Sequence, residues 1–404
     1  MTLSSGGWTV VRKSILIGLL LLVAAVAAVR VLLPGFTERR ANTVAEHAPY
    51  PIAAASRDLH QRLTVLDWHT DSMLWERDFL QHSARGHVDL PRLQAGNVAI
   101  AVLTTPTMAP FGQNVDSNAA DAGDMLTALV VAQGWPINSW DSLLQRALHQ
   151  AQRLRGFVAA AGGQLRWLNS AADLRQLLAA RNAAGLAGEQ PPIGVMMGTE
   201  GSHALEGNVD NVDVLFDAGF RMMSLQHFFD NRLGGSLHGI EKRGLTPFGR
   251  DVVQRIHERE IILDVAHSAP AVVRDVLAMS ERPLLVSHTG VYGNCASARN
   301  FPDRLMQEIA VGGGLIAIGY WKAAVCDITP TGVAAAILYA VNLVGEGHVA
   351  LGSDYDGGTR VAFATDELAV LTQALMEAGL SESAIRKVMG ENSVQFLLHW
   401  LPAG

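Results

Sequence analysis

Leu63-Thr64-Val65-Leu66-Asp67-Trp68-His69-Thr70-Asp71 passes from a short β-rich run directly into a cluster of ionisable side chains. Leu63–His69 reads as a strand, and His69 and Asp71, two positions apart in extended chain, project to the same side. Seven further runs of this kind follow: Asn97–Thr104, Ile193–Gly198, Arg221–Gln226, Ile261–Ala266, Pro283–Ser287, Leu315–Tyr320 and His348–Gly352. Most are near-continuously apolar, as in strands covered on both faces. Helical patterns lie between most of them, at 121–159 and 171–185, 208–218, 246–259, 269–279, 302–311 and 328–344, with 365–378 and 382–398 after the last. Thr246-Pro247 is an N-cap followed by proline at the first helical position, and Ser381 opens the final helix. Eight strands alternating with helices predict an α/β fold, a (β/α)8 TIM barrel. The long insertion at 105–192 is the irregular part, and its polar Pro106–Ala122 stretch reads as a surface loop. Gly312-Gly313-Gly314 precedes a strand, so it is a turn and not a phosphate cradle.

The ionisable residues fall at strand ends. The third strand runs into Glu200, the fourth ends at His227, the fifth at His267, the sixth at His288 and the eighth at Asp354. In a barrel these ends share one rim, where active sites are built. Four of the chain's 14 histidines end strands in this way. Imidazole with carboxylate suits a borderline divalent ion such as zinc. Three histidines, one Asp and one Glu suffice for two ions if a carboxylate bridges, and such a pair can hold a hydroxide and polarise a carbonyl. The centre would keep net positive charge and attract an anionic substrate. Taken singly, His69-x-Asp71 is more often a hydrogen-bonded core pair, His267 is equally a satisfied interior histidine, Glu200 can be a helix-start or loop acid, and Asp354 can cap the Gly357-Gly358 turn. Their convergence on one rim favours the metal reading.

Composition bounds the rest. Of 404 residues, 49% are hydrophobic and only 17% charged, which excludes disorder over most of the chain. A formal charge of -7 argues against nucleic-acid binding. Two cysteines, Cys295 and Cys326, exclude a disulfide scaffold and a four-cysteine zinc site; they pair outside the cytoplasm or stand as two buried thiols. At the N-terminus, Arg12 and Lys13 precede the apolar run Ser14–Leu33, interrupted by Arg30. This predicts a signal anchor over 1–33 that spans the inner (cell) membrane, with the remainder periplasmic or extracellular; the alternative is a signal peptide cleaved after Ala25-Val26-Ala27. Residues 34–57, with three prolines, read as a linker, and 58–404 as the barrel domain.

In this order these residues resemble the membrane dipeptidase (renal dipeptidase) family of zinc peptidases, over about residues 60–395. The resemblance rests on Val65–Asp71, His87-Val88-Asp89-Leu90-Pro91-Arg92-Leu93, Gly198-Thr199-Glu200-Gly201 and Ser224-Leu225-Gln226-His227 with Asn231. It continues through Gly244-Leu245-Thr246-Pro247-Phe248-Gly249, Leu263–Ser268, Val286-Ser287-His288, Arg299-Asn300-Phe301-Pro302-Asp303 and Gly352–Gly357. It implies a metallo-dependent hydrolase that cleaves dipeptides with two Zn2+ ions. His69 and Asp71 would hold one ion, His267 and His288 the other, and Glu200 would bridge. His227 would stabilise the developing oxyanion, Arg299 would clamp the substrate carboxylate, and Asp354 would shuttle the proton. A homodimer is also implied. The family's animal members carry a C-terminal lipid anchor; this chain ends Trp400-Leu401-Pro402-Ala403-Gly404 without a hydrophobic tail, so the N-terminal segment would serve instead.

The sequence departs from the family at Trp68, where glycine is usual, and at Val265-Ala266, where Leu-Ser is usual. Phe228, Phe229, Tyr320 and Trp321 are expected to reshape the pocket. The departures around Trp68 and Phe228 keep one alternative, a binuclear hydrolase of N-acyl amino acids, lactams or lactones; a second, a non-catalytic binding protein on a barrel scaffold, is opposed by the intact metal set and Asp354. His203 and Asp264 are candidates for orienting the ligands or for simple packing. His47, His60, His82, His149, His238, His257, His348 and His399 read as structural or solvated, and His257-Glu258 is no zincin motif because Ile occupies 261.

Overall fold

The computed structural model describes residues 5–404; the side chains of 5–11, 22–26 and 31 lie outside the described residues, as do those of Ala25 and Val26 of the cleavage sequence. Eight parallel strands form the ring: β1 Val65–Thr70, β2 Val98–Pro106, β3 Ile193–Glu200, β4 Phe220–Ser224, β5 Ile262–Asp264, β6 Leu285–Thr289, β7 Leu315–Ile318 and β8 Val349–Leu351. Neighbours pair in chain order from β3 round to β8, β8 pairs with β1 and β1 with β2. The ring closes where β2 lies beside β3, from Ile100 opposite Gly194 to Pro106 opposite Glu200. β1, β2 and β3 are buried along their whole length, as continuous apolar runs between barrel lumen and outer helices require.

Three differences from the sequence reading have physical causes. The helix expected over 121–159 is two, Leu126–Ala132 and Leu143–Ala160, because Gly134 turns left-handed (φ 74°) and Pro136 follows; Ser142 then caps the second helix. A short strand unforeseen in the insertion, Leu165–Trp167, pairs with Ile193–Val195 of β3 below the stretch that β4 uses. The stretch read as a linker is structured at its start. Helix α1 runs from Ser5 to Ala41, and Thr43–Val44 pairs in parallel with Arg360–Val361. Glu38 explains this, because its buried carboxylate pairs with Arg77 and with Arg85 Nε (2.7 Å), fastening the end of α1 to the barrel mouth. Among the described residues no helix is long and apolar enough to cross a membrane, so the spanning segment expected within 1–33 is not found there.

Trp68 points away from the lumen. Its indole donates to Ser393 Oγ (2.8 Å) and packs edge-on against Phe396 of the C-terminal helix Asn392–Trp400. The departure at Trp68 is therefore a change in outer packing, and the pocket is not altered by it. Cys295 and Cys326 form a disulfide that ties the loop after β6 to the short helix after β7.

Candidate metal centre

Every strand end named from the sequence reaches the same mouth. His69 and His288 stand within β1 and β6, Asp71 directly after β1, and Glu200 is the last residue of β3. His227, His267 and Asp354 each stand three residues beyond their strands. Glu200 is the hub. Its Oε1 lies 3.4 Å from His69 Nε2, 3.3 Å from His267 Nε2 and 3.5 Å from His288 Nε2, while Oε2 lies 3.3 Å from His227 Nε2. Asp71 Oδ1 is 3.6 Å from His69 Nε2 and accepts from Thr104 Oγ1 at 2.6 Å. Among the described residues, two sets could hold an ion: His69, Glu200, His288 and Asp354, and Glu200, His227 and His267. His227 and Asp354 thus stand as close as the expected ligands do.

The hydrogen bonds behind the imidazoles decide which nitrogen faces inward. Ser287 Oγ donates its proton to Asp264 Oδ2 (2.7 Å), so towards the histidines it can only accept. His288 Nδ1 lies 2.9 Å and His69 Nδ1 3.3 Å from that oxygen. Both rings therefore carry their proton on Nδ1 and turn an Nε2 lone pair towards Glu200, the form a metal binds. His69 Nε2 is buried without a hydrogen-bond partner, and His267 and His288 oppose their Nε2 atoms at 2.9 Å. Buried nitrogen lone pairs converging on carboxylates are costly unless something cationic sits among them. The donor set therefore fits a divalent cation with mixed nitrogen and oxygen preference. His227 is fixed likewise: its Nδ1 donates to the Met108 carbonyl (3.0 Å), so donation from Nε2 requires the doubly protonated ring.

Charge is distributed unevenly over these buried groups. For Glu200, burial pushes the pKa up, but the imidazoles of His227 and His69 facing it hold it well below the usual carboxylate range. Asp354 goes the other way: burial, with Glu200 and Asp71 nearby, raises its carboxyl well above that range despite His69 and Arg299. Burial, then Arg299, keeps His267 well below an ordinary histidine. Asp354 also sits in the left-handed region (φ 60°), as does Asp356 (φ 63°), a strain held by the surrounding loop. Thr359 Oγ1 donates to Asp354 O (2.8 Å), and the Asp354 amide donates to His69 O (3.2 Å).

Arg299 is buried beside the centre, donating to Ala266 O (3.0 Å) and His288 O (2.7 Å), with Trp321 packed over its guanidinium. Phe228 packs against His227, His238 and His267. His238, set aside on sequence, belongs here: its Nδ1 donates to Val115 O (2.7 Å), pinning the 106–122 loop over the site. Ser287 and Thr104 were missed because a hydroxyl in a strand carries no signal of its own, and Asp264 reaches the ligands only through Ser287.

A profile of the membrane dipeptidase family (peptidase family M19) matches residues 53–399. The chain belongs to that family. It is a hydrolase of the metallo-dipeptidase class. A dipeptidase from Claviceps purpurea, tcpJ, is 24% identical over 326 residues, covering 77% of this chain and 69% of the relative. Dipeptidase aclJ of Aspergillus oryzae is 30% identical over 215 residues, about half of each chain. Solved structures share the fold of this membrane dipeptidase relative. The dipeptidase AC, a family M19 metallopeptidase, superposes with TM-score 0.69 at 22% identity over 85% of this chain and 99% of its own. A metallopeptidase from Rhodobacter sphaeroides liganded with a phosphinate mimic of the dipeptide L-Ala-D-Ala gives 0.66 at 23% over 84% and 99%.

Proposed function

We propose that this member of the membrane dipeptidase family hydrolyses the peptide bond of dipeptides at a centre of two Zn2+ ions, held by His69, Asp71, Glu200, His267 and His288. The observation that carries the reading is the shared Glu200, within 3.5 Å of three imidazole Nε2 atoms through one oxygen and facing a fourth through the other. When bound, such ions lower the pKa of water and polarise a carbonyl. The chain's residues supply the rest. Arg299 presents its remaining N–H groups to the substrate's terminal carboxylate, which orients the scissile bond and limits length. His227, as imidazolium, donates from Nε2 to the oxygen that gains charge as water adds to the carbonyl carbon. Asp354 takes the proton that the water loses and gives it to the amine nitrogen as the C–N bond breaks. A carboxyl raised by burial and relieved by nearby positive charge is suited to both steps.

The same reading places the barrel outside the cytoplasm, held by α1. Support comes from the Cys295–Cys326 disulfide and from Ile15, Leu16, Ile17, Leu19, Leu20 and Leu21, more than half exposed along one helix, an apolar surface that a lipid phase would cover.

Chelation tests the centre. Activity on dipeptides is expected to vanish on exhaustive metal removal and to return with Zn2+ at about two equivalents; full activity in the stripped protein would sink the mechanism.

A further inference from the structure

The cleft that reaches the centre is not built by the barrel alone. It encloses about 410 Å³, within the usual range for small-molecule sites (~300–1,000 Å³). Asp71, Glu200 and His227 stand at its inner end. Leu74, Trp75 and Leu129 line it together with Leu33, Thr37 and Ala41 from the last turns of α1, and Ala41 packs against the same apolar cluster as Leu74 and Trp75. Leu74 and Trp75 are buried, while Leu33 is 42% exposed at the opening. Beyond the catalytic groups the walls are predominantly apolar.

The direction of the cleft assigns it to one side of the substrate. Arg299 is bonded to His288 O and covered by Trp321, and neither Arg299 nor Trp321 is among the residues that line the cleft. A substrate whose carboxylate rests on Arg299 must cross Glu200 to reach the α1 side. The group it projects there is on the acyl side of the scissile amide.

We propose that α1 completes the acyl-side pocket, and that this pocket selects dipeptides whose N-terminal residue carries a large apolar side chain. The proposal rests on the dipeptidase reading above. A glycine or alanine at that position leaves the apolar walls wet; a leucine or phenylalanine covers them. Full burial of such a side chain corresponds to a preference of about 10–100-fold in kcat/KM. α1 is thereby part of the specificity of the enzyme, besides any role in holding it at a membrane.

The test uses the full chain loaded with Zn2+ and a series of dipeptides ending in alanine, with Gly, Ala, Leu or Phe first. Wild type is expected to favour Leu and Phe over Gly by about 10–100-fold. Ala41→Phe and Thr37→Trp, which fill the cleft from α1, are expected to reduce that ratio at least tenfold, mainly through KM, with unchanged zinc content. The wild-type profile needs no variant, so a substitution that misfolds leaves the test standing. Dipeptide turnover with a flat profile, or a preference untouched by both well-folded variants, overturns the α1 pocket and leaves the dipeptidase reading intact. Cleavage of N-acylated apolar amino acids with no turnover of any dipeptide overturns both.

Discussion

Ser287 has a single hydroxyl proton, and Asp264 takes it. Everything that follows for His69 and His288 depends on that direction of donation. Asp264 is itself fixed, accepting from the Ser287 and Ala266 amides at 2.9 and 3.1 Å, so its second oxygen has one orientation available. Asp264→Asn would place an N–H where an acceptor stood, turn the serine proton towards the imidazoles and favour the tautomer with Nε2 protonated. We expect it to weaken Zn2+ binding by about 10–100-fold, and Ser287→Ala by somewhat less, since water can replace a lost acceptor but not a reversed one. Competition against a chelator of known affinity reads this directly, and unchanged affinity in both variants would remove the tautomer argument. Asp354 calls for a different readout. Asp354→Asn keeps the side chain's size and discards its proton chemistry, so kcat should fall by about 10²–10⁴ with zinc retained. Zinc lost in that variant would instead make Asp354 a ligand, which its membership of one of the two candidate groups allows.

At the scale of elements, the end of α1 and the loop after β8 are one unit. Arg77 stands between Glu38 of α1 and Asp356, all buried, and Asp356 takes further hydrogen bonds from Ser72 Oγ (2.6 Å) and the His87 amide (2.7 Å). Gly358 donates to Asn42 Oδ1 (2.8 Å), and the Thr43–Val44 strand continues the clamp. The loop so held carries Asp354 in its left-handed conformation. Glu38→Gln leaves Arg77 with half its buried charge partners and should cost about 3 kcal/mol of stability. Hydrogen exchange should quicken at 38–44 and 354–361 together; protection lost at one segment alone would mean that they are not coupled. This unit also marks the limit of what could be read from sequence. The barrel was legible because strands buried on both faces leave continuous apolar runs, and His69, Glu200, His267 and His288 because strand ends share a rim. The clamp was not, since Pro34, Pro49 and Pro51 suggested a linker, and nothing local to Glu38 reveals that its partners lie at Arg77 and Arg85. The break at Gly134-Trp135-Pro136 was written in the chain but outweighed by the apolar periodicity on both sides.

Over the whole molecule, burial shifts titratable groups in two directions with opposite effects on stability. The site carboxyls Asp71, Asp264 and Asp354 are raised, foremost by burial, so their share is present at low pH and lost as pH rises through their folded values. Histidines buried in neutral form behave oppositely. Burial lowers His149 from 6.5 to about 4, with Arg153 adding to it, and lowers His203 and His238 to about 3. For a lowered histidine the unfolded chain binds the extra proton first. Its stabilising share is therefore complete above about pH 6.5 and is lost as pH falls through 6.5 towards the folded value. His149 isolates this effect, because it lies on the Leu143–Ala160 helix with its ring against Trp135 (4.6 Å), apart from the candidate metal ligands. His149→Gln has no proton to gain. Wild type should lose stability relative to that variant as pH falls from 6.5 to about 4, and the difference should be level between pH 7 and 8. Denaturant melts of both proteins after chelation, so that loss of any bound metal does not enter, measure it. Parallel pH profiles across the acid range would show that the imidazole is free to protonate in the folded protein, and that the insertion packs less tightly around it than its contacts indicate.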